Sequence, residues 1–507
     1  MEKLSYKTLQ DMGYKGYLVP RDAPEKVLQF GEGNFLRSFV DRYFDYANEK
    51  TGWNGKICIL QPIDDAAHDY GFIKGLNAQD CLYTVLERGK LDGKTYDDAR
   101  LVSSVSRCLN PFRAEDLEEL KKVATSDDLE LVVSNTTEAG IAYDPSCKAE
   151  DAWPSSFPAK LAKTLRFRFD AGKGGLTILS CELIDHNGAE LEKIVKRYAS
   201  DWGWEKEFTD WLDKECLFCT TLVDTIVPGR IRDPKEAAKV AERLGYEDPF
   251  LAVREPFQMW GIEGDDALAA KLPFIQSKEP GVFVTPDVTP YKKRKVRILN
   301  GAHTGFVPGA WLAGFNIVRD CMHDDTIRGF MNMMLEHEVI PTLSKELDRA
   351  DLEAFAKAVE NRFDNPFIDH QLLSICLNST SKWRARDLPS LLDYVEQEGK
   401  LPKCLTMSLA ALLAFYTTGT EGLADDGLHL KRADGTEYVA QDDASALSFF
   451  AERKDAPADR LVDDTLSNTE MWGQDLHEVK GLRDAVVADL ELIRREGTKA
   501  AFASCLK

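Results

Sequence analysis

No apolar run in these 507 residues is long enough to span a bilayer; the longest, Leu405 to Tyr416, reads as a buried helix. The amino terminus, Met1-Glu2-Lys3-Leu4-Ser5, has neither an apolar leader nor a cleavage site, so the expected location is cytoplasmic. Positive charge is scarce too. Lys and Arg number 64 against 85 Asp and Glu, leaving a formal charge of −21. A field of that sign repels nucleic acid and anionic membrane, which removes both from the expected partners, and an anionic substrate would need a local cluster of cations. Histidine is rare, at eight, and His68, His323, His337, His429 and His477 lack the spacing of metal ligands. The eleven cysteines follow no regular spacing, as expected for reduced thiols, and the lone Cys216-x-x-Cys219 has no second pair, so it reads as structural. No metal is expected, and no obligate protein partner is evident.

What is present suits a large globular protein: 44% hydrophobic and 10% aromatic residues over a length that implies two domains. Residues 1–285 alternate strand and helix signals, whereas from 286 to 507 helical stretches dominate. The expected fold class is therefore α/β, a Rossmann-type dinucleotide-binding domain followed by a mainly α-helical substrate and catalytic domain. In the first part, the apolar run Lys26–Phe30 leads directly into Gly31-Glu32-Gly33-Asn34-Phe35-Leu36-Arg37. Helical spacing then begins at Phe35 and continues through Phe39, Val40, Tyr43 and Phe44. Strand, glycine turn and helix in that order can cradle a pyrophosphate, with Gly31 making the turn and Gly33 admitting the phosphate. The third glycine of the usual fingerprint is replaced by Leu36. Further strands are expected at Lys56–Gln61, Leu129–Ser134 and Leu176–Cys181. The last two end in polar clusters, Asn135-Thr136-Thr137-Glu138 and Asp185-His186-Asn187-Gly188, where ligands of open α/β sheets bind. Lys431 to Asp443 reads as a polar loop. Tyr46-x-x-x-Lys50 copies a dehydrogenase motif in the wrong place and reads as structural.

The richest segment for chemistry is Lys295-Val296-Arg297-Ile298-Leu299-Asn300-Gly301-Ala302-His303. On an α-helix at roughly 100° per residue, Asn300 lies about 140° and His303 about 80° round from Lys295. A long lysine closes those gaps, so an amine, a carboxamide and an imidazole can meet one small ligand. The amine can exchange a proton with an alcohol and the amide can steady an oxyanion. Lys292, Lys293, Arg294 and Arg297 crowd the lysine, and like charges are expected to favour its neutral form.

Taken together, these motifs resemble the long-chain polyol and sugar-acid dehydrogenases that include mannitol dehydrogenase. The resemblance runs over nearly the whole chain: the Gly31–Arg37 loop, Thr137 to Gly140, Asn187-Gly188, Val223-Asp224-Thr225-Ile226 and the Lys295–His303 segment. It implies metal-independent hydride transfer between NAD and a small sugar-acid substrate. Lys295 would be the general acid/base, Asn187 and Asn300 would hold the reacting oxygen, and His303 would orient the substrate. Asp224 would contact the substrate hydroxyls, and Lys382, with His370, is expected to face the substrate carboxylate. Phe30, Gly31, Gly33, Asn34, Phe35, Arg37, Thr137 and Glu138 would bind the cofactor. Arg384 and Arg386 read as structural or surface charges. The chain departs from relatives at Lys292, where many carry glutamate, and at Ser374, where mannitol-type members carry arginine. A changed polyol-end pocket is what an acid substrate requires.

Overall fold

Strand Glu25–Phe30 (β1) opens a parallel sheet whose central strands are apolar on both sides, because each is covered on both faces. Val27 packs into one core cluster, while Leu28 and Phe30 pack into another. The same alternation repeats in Lys56–Leu60 (β2), where Ile57 and Ile59 face one way and Cys58 and Leu60 the other. Val105–Leu109 (β3), Leu131–Ser134 (β4), Thr177–Ser180 (β5) and Leu217–Asp224 (β6) follow. Met259–Glu263 (β7) and Val282–Thr285 (β8) complete the sheet, in the order β8-β7-β6-β5-β4-β1-β2-β3. The six strands from β3 to β6 are mutually parallel and β7 runs antiparallel to β6. The order 3-2-1-4-5-6 is that of a dinucleotide-binding sheet, with its switch point between β1 and β4.

The computed structural model describes residues 1–137 and 139–507. They fall into two compact units, Met1–Arg88 with Tyr96–Val288, and Gly89–Thr95 with Thr289–Lys507. The first holds the parallel sheet. At the heart of the second is the helix Lys403–Thr417, buried from Cys404 to Thr417. Its amino-terminal N–H groups at Cys404 and Leu405 donate to the Glu338 carboxylate at 2.7 and 2.8 Å, a cap supplied from another segment. Helices Gly301–Leu312 and Leu482–Glu496 pack against it. Among the described residues, no helix is long and apolar enough to cross a membrane.

The expected polar loop at Lys431 to Asp443 is instead part of a small meander, Thr420–Ala424, Gly427–Lys431 and Glu437–Ala440. Leu428, Leu430, Tyr438 and Ala440 alternate inward, and the intervening charged residues masked that period. A further three-stranded sheet, Lys94–Val102, Tyr83–Leu91 and Ala252–Arg254, lies in a stretch where no strand is legible from the sequence. In the Tyr46-x-x-x-Lys50 motif, the Arg100 guanidinium lies 3.7 Å from the Tyr46 ring centroid and Lys50 pairs with Glu279.

Candidate active site

In the first unit, the strand ends set the site. β1, β4, β5 and β6 run parallel, so the segments leaving their carboxyl ends share one edge: Gly31–Arg37, Asn135–Thr137, Glu182–Asn187 and Asp224. Gly31 adopts φ +123°, and a Cβ there would sit 2.9 Å from the Asn135 carbonyl oxygen. Only glycine meets both conditions. Gly33 caps the helix Asn34–Ser38, and nothing lies within 4 Å of where its Cβ would be. That open cradle at a helix amino terminus fits a pyrophosphate. Thr137 sits at φ +73°, a costly conformation for a β-branched residue and one that gathers at functional sites. Glu138, also expected at the cofactor, lies outside the described residues.

Two expected cofactor residues turn inward. Arg37 is 3% exposed and donates to the Glu32 carbonyl at 2.9 Å, the Phe250 carbonyl at 2.6 Å and Asn34 Oδ1 at 2.7 Å. With its guanidinium so engaged, it holds the loop and is not placed to bind phosphate. The Phe30 ring is likewise core, 5.1 Å from that of Phe157, leaving only its main chain for the loop. Phe35 is half-buried against Phe39, and Asn34 stays on the loop with its amide turned toward Arg37.

Asn187 also departs from expectation. Its Nδ2 donates to the carbonyls of Glu182 and Thr221, both at 2.9 Å, and its Oδ1 accepts from the N–H groups of Gly188 at 2.8 Å and Thr221 at 2.9 Å. A carboxamide has two donors and two lone pairs, so this one is saturated and has no capacity left for a substrate oxygen. It ties the start of a helix to β6. The neighbouring Glu182, which the sequence reading passed over, is a second organiser. Its carboxylate accepts from Ser134 Oγ, Thr136 N and Thr136 Oγ1 at 3.0–3.1 Å, shaping the loop after β4. An acidic residue directly after a strand was the available signal. Asp224 is buried at the end of β6.

The second unit holds the proton-transfer candidates. Lys295–Asn300 is a π-helix that runs into the α-helix Gly301–Leu312. With i→i+5 bonding each residue advances only roughly 82°, so Asn300 lies about 50° from Lys295 rather than about 140°. Three ordinary helical steps then bring His303 to within about 10° of the direction of Lys295. The widened turn gathers amine, carboxamide and imidazole on one face. Such bulges recur at functional sites.

The expected crowd of bare cations around Lys295 is absent. Lys293 pairs with Glu346, Arg294 with Asp351, and Arg297 with Asp393 at 2.7 Å. His303 stacks on Phe363, with ring centroids 3.9 Å apart, and meets His370 edge-on at 5.3 Å. His303 is intermediate in exposure, but its Nε2 is enclosed and unpaired among the described residues. Burial first, and then the charges of His370, Arg386, Arg362 and Lys382, hold the imidazole well below its usual range, so it is neutral near pH 7. Lys382 Nζ donates to the Ile375 carbonyl at 2.9 Å, and burial lowers its pKa, as it does that of His370.

Among the described residues, no group of three potential ligands could hold a metal ion. Burial pushes Cys216 and Cys219 each up to about 12, so neither is a thiolate at neutral pH.

Because space above Gly33 is open, Gly33→Val should fold normally. It should raise the Kd for NADH by an order of magnitude or more, by holding the backbone off the phosphates. Calorimetric titration checks this, and unchanged affinity in the folded variant would remove the loop from the site.

Comparison with known proteins bears on both units. Residues 25–276 match the mannitol dehydrogenase Rossmann domain, and residues 287–494 match the mannitol dehydrogenase C-terminal domain. Altronate oxidoreductase of Yersinia enterocolitica is 42% identical over 96% of this chain and 97% of its own length. That of Cronobacter sakazakii is 43% identical over 98% and 99%. Among solved structures, a substrate-free D-sorbitol dehydrogenase superposes with a TM-score of 0.80 at 23% identity, covering 99% of this chain and 100% of that one. The ternary complex of Pseudomonas fluorescens mannitol 2-dehydrogenase with NAD and D-mannitol gives 0.66 at 22%, covering 99% of each. At those identities the two structures speak to the fold.

Proposed function

The chain belongs to the mannitol dehydrogenase family, and we propose that it interconverts D-tagaturonate and D-altronate with NAD, without a metal. The observation that carries the substrate is the near-full-length similarity to altronate oxidoreductases. The chemistry is supported by the π-helix that sets Lys295, Asn300 and His303 on one face.

When bound, NADH supplies the hydride. In the direction of reduction, Lys295 gives a proton to the carbonyl oxygen of the substrate as charge develops there, and it recovers that proton in oxidation. The Asn300 carboxamide donates to the same oxygen and steadies its charge without a metal. Neutral His303, on the same face as Lys295 and Asn300, orients the substrate. Gly31, Gly33 and Asn34 hold the cofactor, with Thr137 beside them on the same sheet edge. Asn187, Arg37 and Glu182 keep that edge in shape. The segment after β2, Gln61-Pro62-Ile63-Asp64-Asp65, offers carboxylates and no cation to a 2′-phosphate, which favours NAD over NADP. The reading extends to a reducing, cytoplasmic compartment, which eleven unpaired cysteines support.

A second reading keeps the chemistry and changes the stereocentre or end group, with fructuronate and mannonate, or fructose and mannitol, as the reacting pair. NADH oxidation against tagaturonate, fructuronate, fructose and fructose 6-phosphate separates the two. The proposal expects tagaturonate to have the highest kcat/KM, and a preference for any of the others overturns it.

A further inference from the structure

A sugar acid entering a protein of net charge −21 needs a cation to receive its carboxylate. His370 meets the His303 ring edge-on at 5.3 Å, and Arg386, Arg362 and Lys382 also bear on its charge. They are not equally available. The Lys382 ammonium is already held by the Ile375 carbonyl, and Arg362 is almost fully buried. Arg386 differs from both. It closes the helix Ser379–Arg386, which is anchored by Trp383, fully buried and donating from Nε1 to Ser408 Oγ at 2.9 Å.

That anchor sets Arg386 against the proton-transfer segment. The Arg386 carbonyl lies 3.9 Å from the Cβ position of Gly301, the residue after Asn300. Its Nη1 donates to Thr304 Oγ1 at 3.0 Å, and Thr304 Oγ1 donates in turn to the Asn300 carbonyl at 3.0 Å. One N–H of a five-donor fork is thus engaged. The adjacent Asp387 makes no hydrogen bond to it. Both Asp387 oxygens lack a hydrogen-bond partner among the described residues, so that carboxyl does not occupy the guanidinium fork. Arg386 is therefore a half-buried guanidinium without an ion-pair partner among the described residues, bonded to the residue that follows His303.

We propose that Arg386 is the specificity-determining residue of this site, receiving the substrate carboxylate through its free N–H fork, with Lys382 as an auxiliary charge. A planar guanidinium matches a carboxylate in two parallel bonds, which a lysine cannot do. The surface role expected of Arg386 from sequence belongs instead to Arg384, which is exposed and donates to the Glu470 carbonyl at 3.3 Å.

This inference rests on the reading of the site as one for a sugar acid. The test uses the full-length enzyme with NADH and compares tagaturonate with its neutral ketose, tagatose. Isothermal titration of altronate and of the neutral alditol is run alongside, in the presence of NAD. Arg386→Met should lower kcat/KM for the keto acid on the order of 100-fold, mostly through KM, and weaken altronate binding in parallel. The ketose and the alditol should change little. Arg386→Lys should recover part of the loss, and Lys382→Met should cost less than Arg386→Met. Equal losses on acid and neutral ligands, carried by kcat, would show that Arg386 acts only through Thr304 and Asn300, and would overturn the proposal. No loss on the acid would overturn it equally. Wild-type enzyme that uses the ketose and ignores every keto acid would overturn the sugar-acid reading itself, and the role of Arg386 with it. Preference for a different keto acid would revise the substrate alone and leave the Arg386 comparison intact.

Discussion

Lys295→Ala should lower kcat by about 10²–10⁴-fold, the usual share of general acid–base catalysis, while NADH affinity stays nearly unchanged. The lysine begins the π-helix whose wide turn carries Asn300 and His303 round to its own face. It belongs to a segment remote in sequence from the glycine loop, so its removal should spare the cofactor. Three of its four basic neighbours are neutralised by Glu346, Asp351 and Asp393, so truncation should not disturb an unbalanced charge cluster. Lys295→Met, which keeps more of the side-chain volume, should be as inactive as the alanine variant. A loss below about tenfold, or a loss confined to the KM for NADH, would remove Lys295 from proton transfer.

Asn187→Ala should be the most destabilising of these changes. It strips partners from two carbonyl oxygens and two N–H groups in a site where Asn187 itself has no exposed surface. At about 1–3 kcal/mol for each buried group left unsatisfied, the total reaches on the order of 4 kcal/mol or more. That is a large part of the stability of an ordinary domain, about 5–15 kcal/mol. Little relaxation is open to the site. A Cβ on the next residue, Gly188, would lie 2.4 Å from the Cys219 carbonyl carbon, so helix and strand are already as close as glycine allows. Asn187→Asp should also destabilise, since it removes both donors from two carbonyls. Denaturant unfolding checks this. A variant with unchanged stability and a collapsed kcat would mean that the carboxamide serves the substrate after all.

The elements built on strong periodicity were readable from the residues: β1, β2, β4 and β5, and the glycine turn after β1. Each is a short apolar run bounded by polar or glycine residues, and burial on both faces leaves that pattern intact. The hairpin Tyr83–Leu91 with Lys94–Val102 was not readable, because its exposed half is charged and imitates a loop. The hydrogen bonding of Asn187 and Arg37 is not legible for another reason. Both carry chemistry-bearing groups at the right edge of the sheet, but hydrogen bonds from distant segments, Thr221 and Phe250, engage those groups. Sequence proximity does not reveal such partners. The π-helix escaped as well, since nothing in Lys295-Val296-Arg297-Ile298-Leu299-Asn300 marks a change from the ordinary helical turn. Arg386 reads as a structural or surface charge in the sequence because a lysine and two arginines on one short helix look alike until Trp383 fixes which way the helix sits.

Incubation of tagaturonate with NADH carrying deuterium at both C4 positions, followed by product identification by NMR, tests the central claim most directly. The account predicts altronate, with a single deuterium on the newly formed carbinol carbon and one equivalent of NAD produced. Formation of the epimeric acid, or a product without that deuterium, would contradict it.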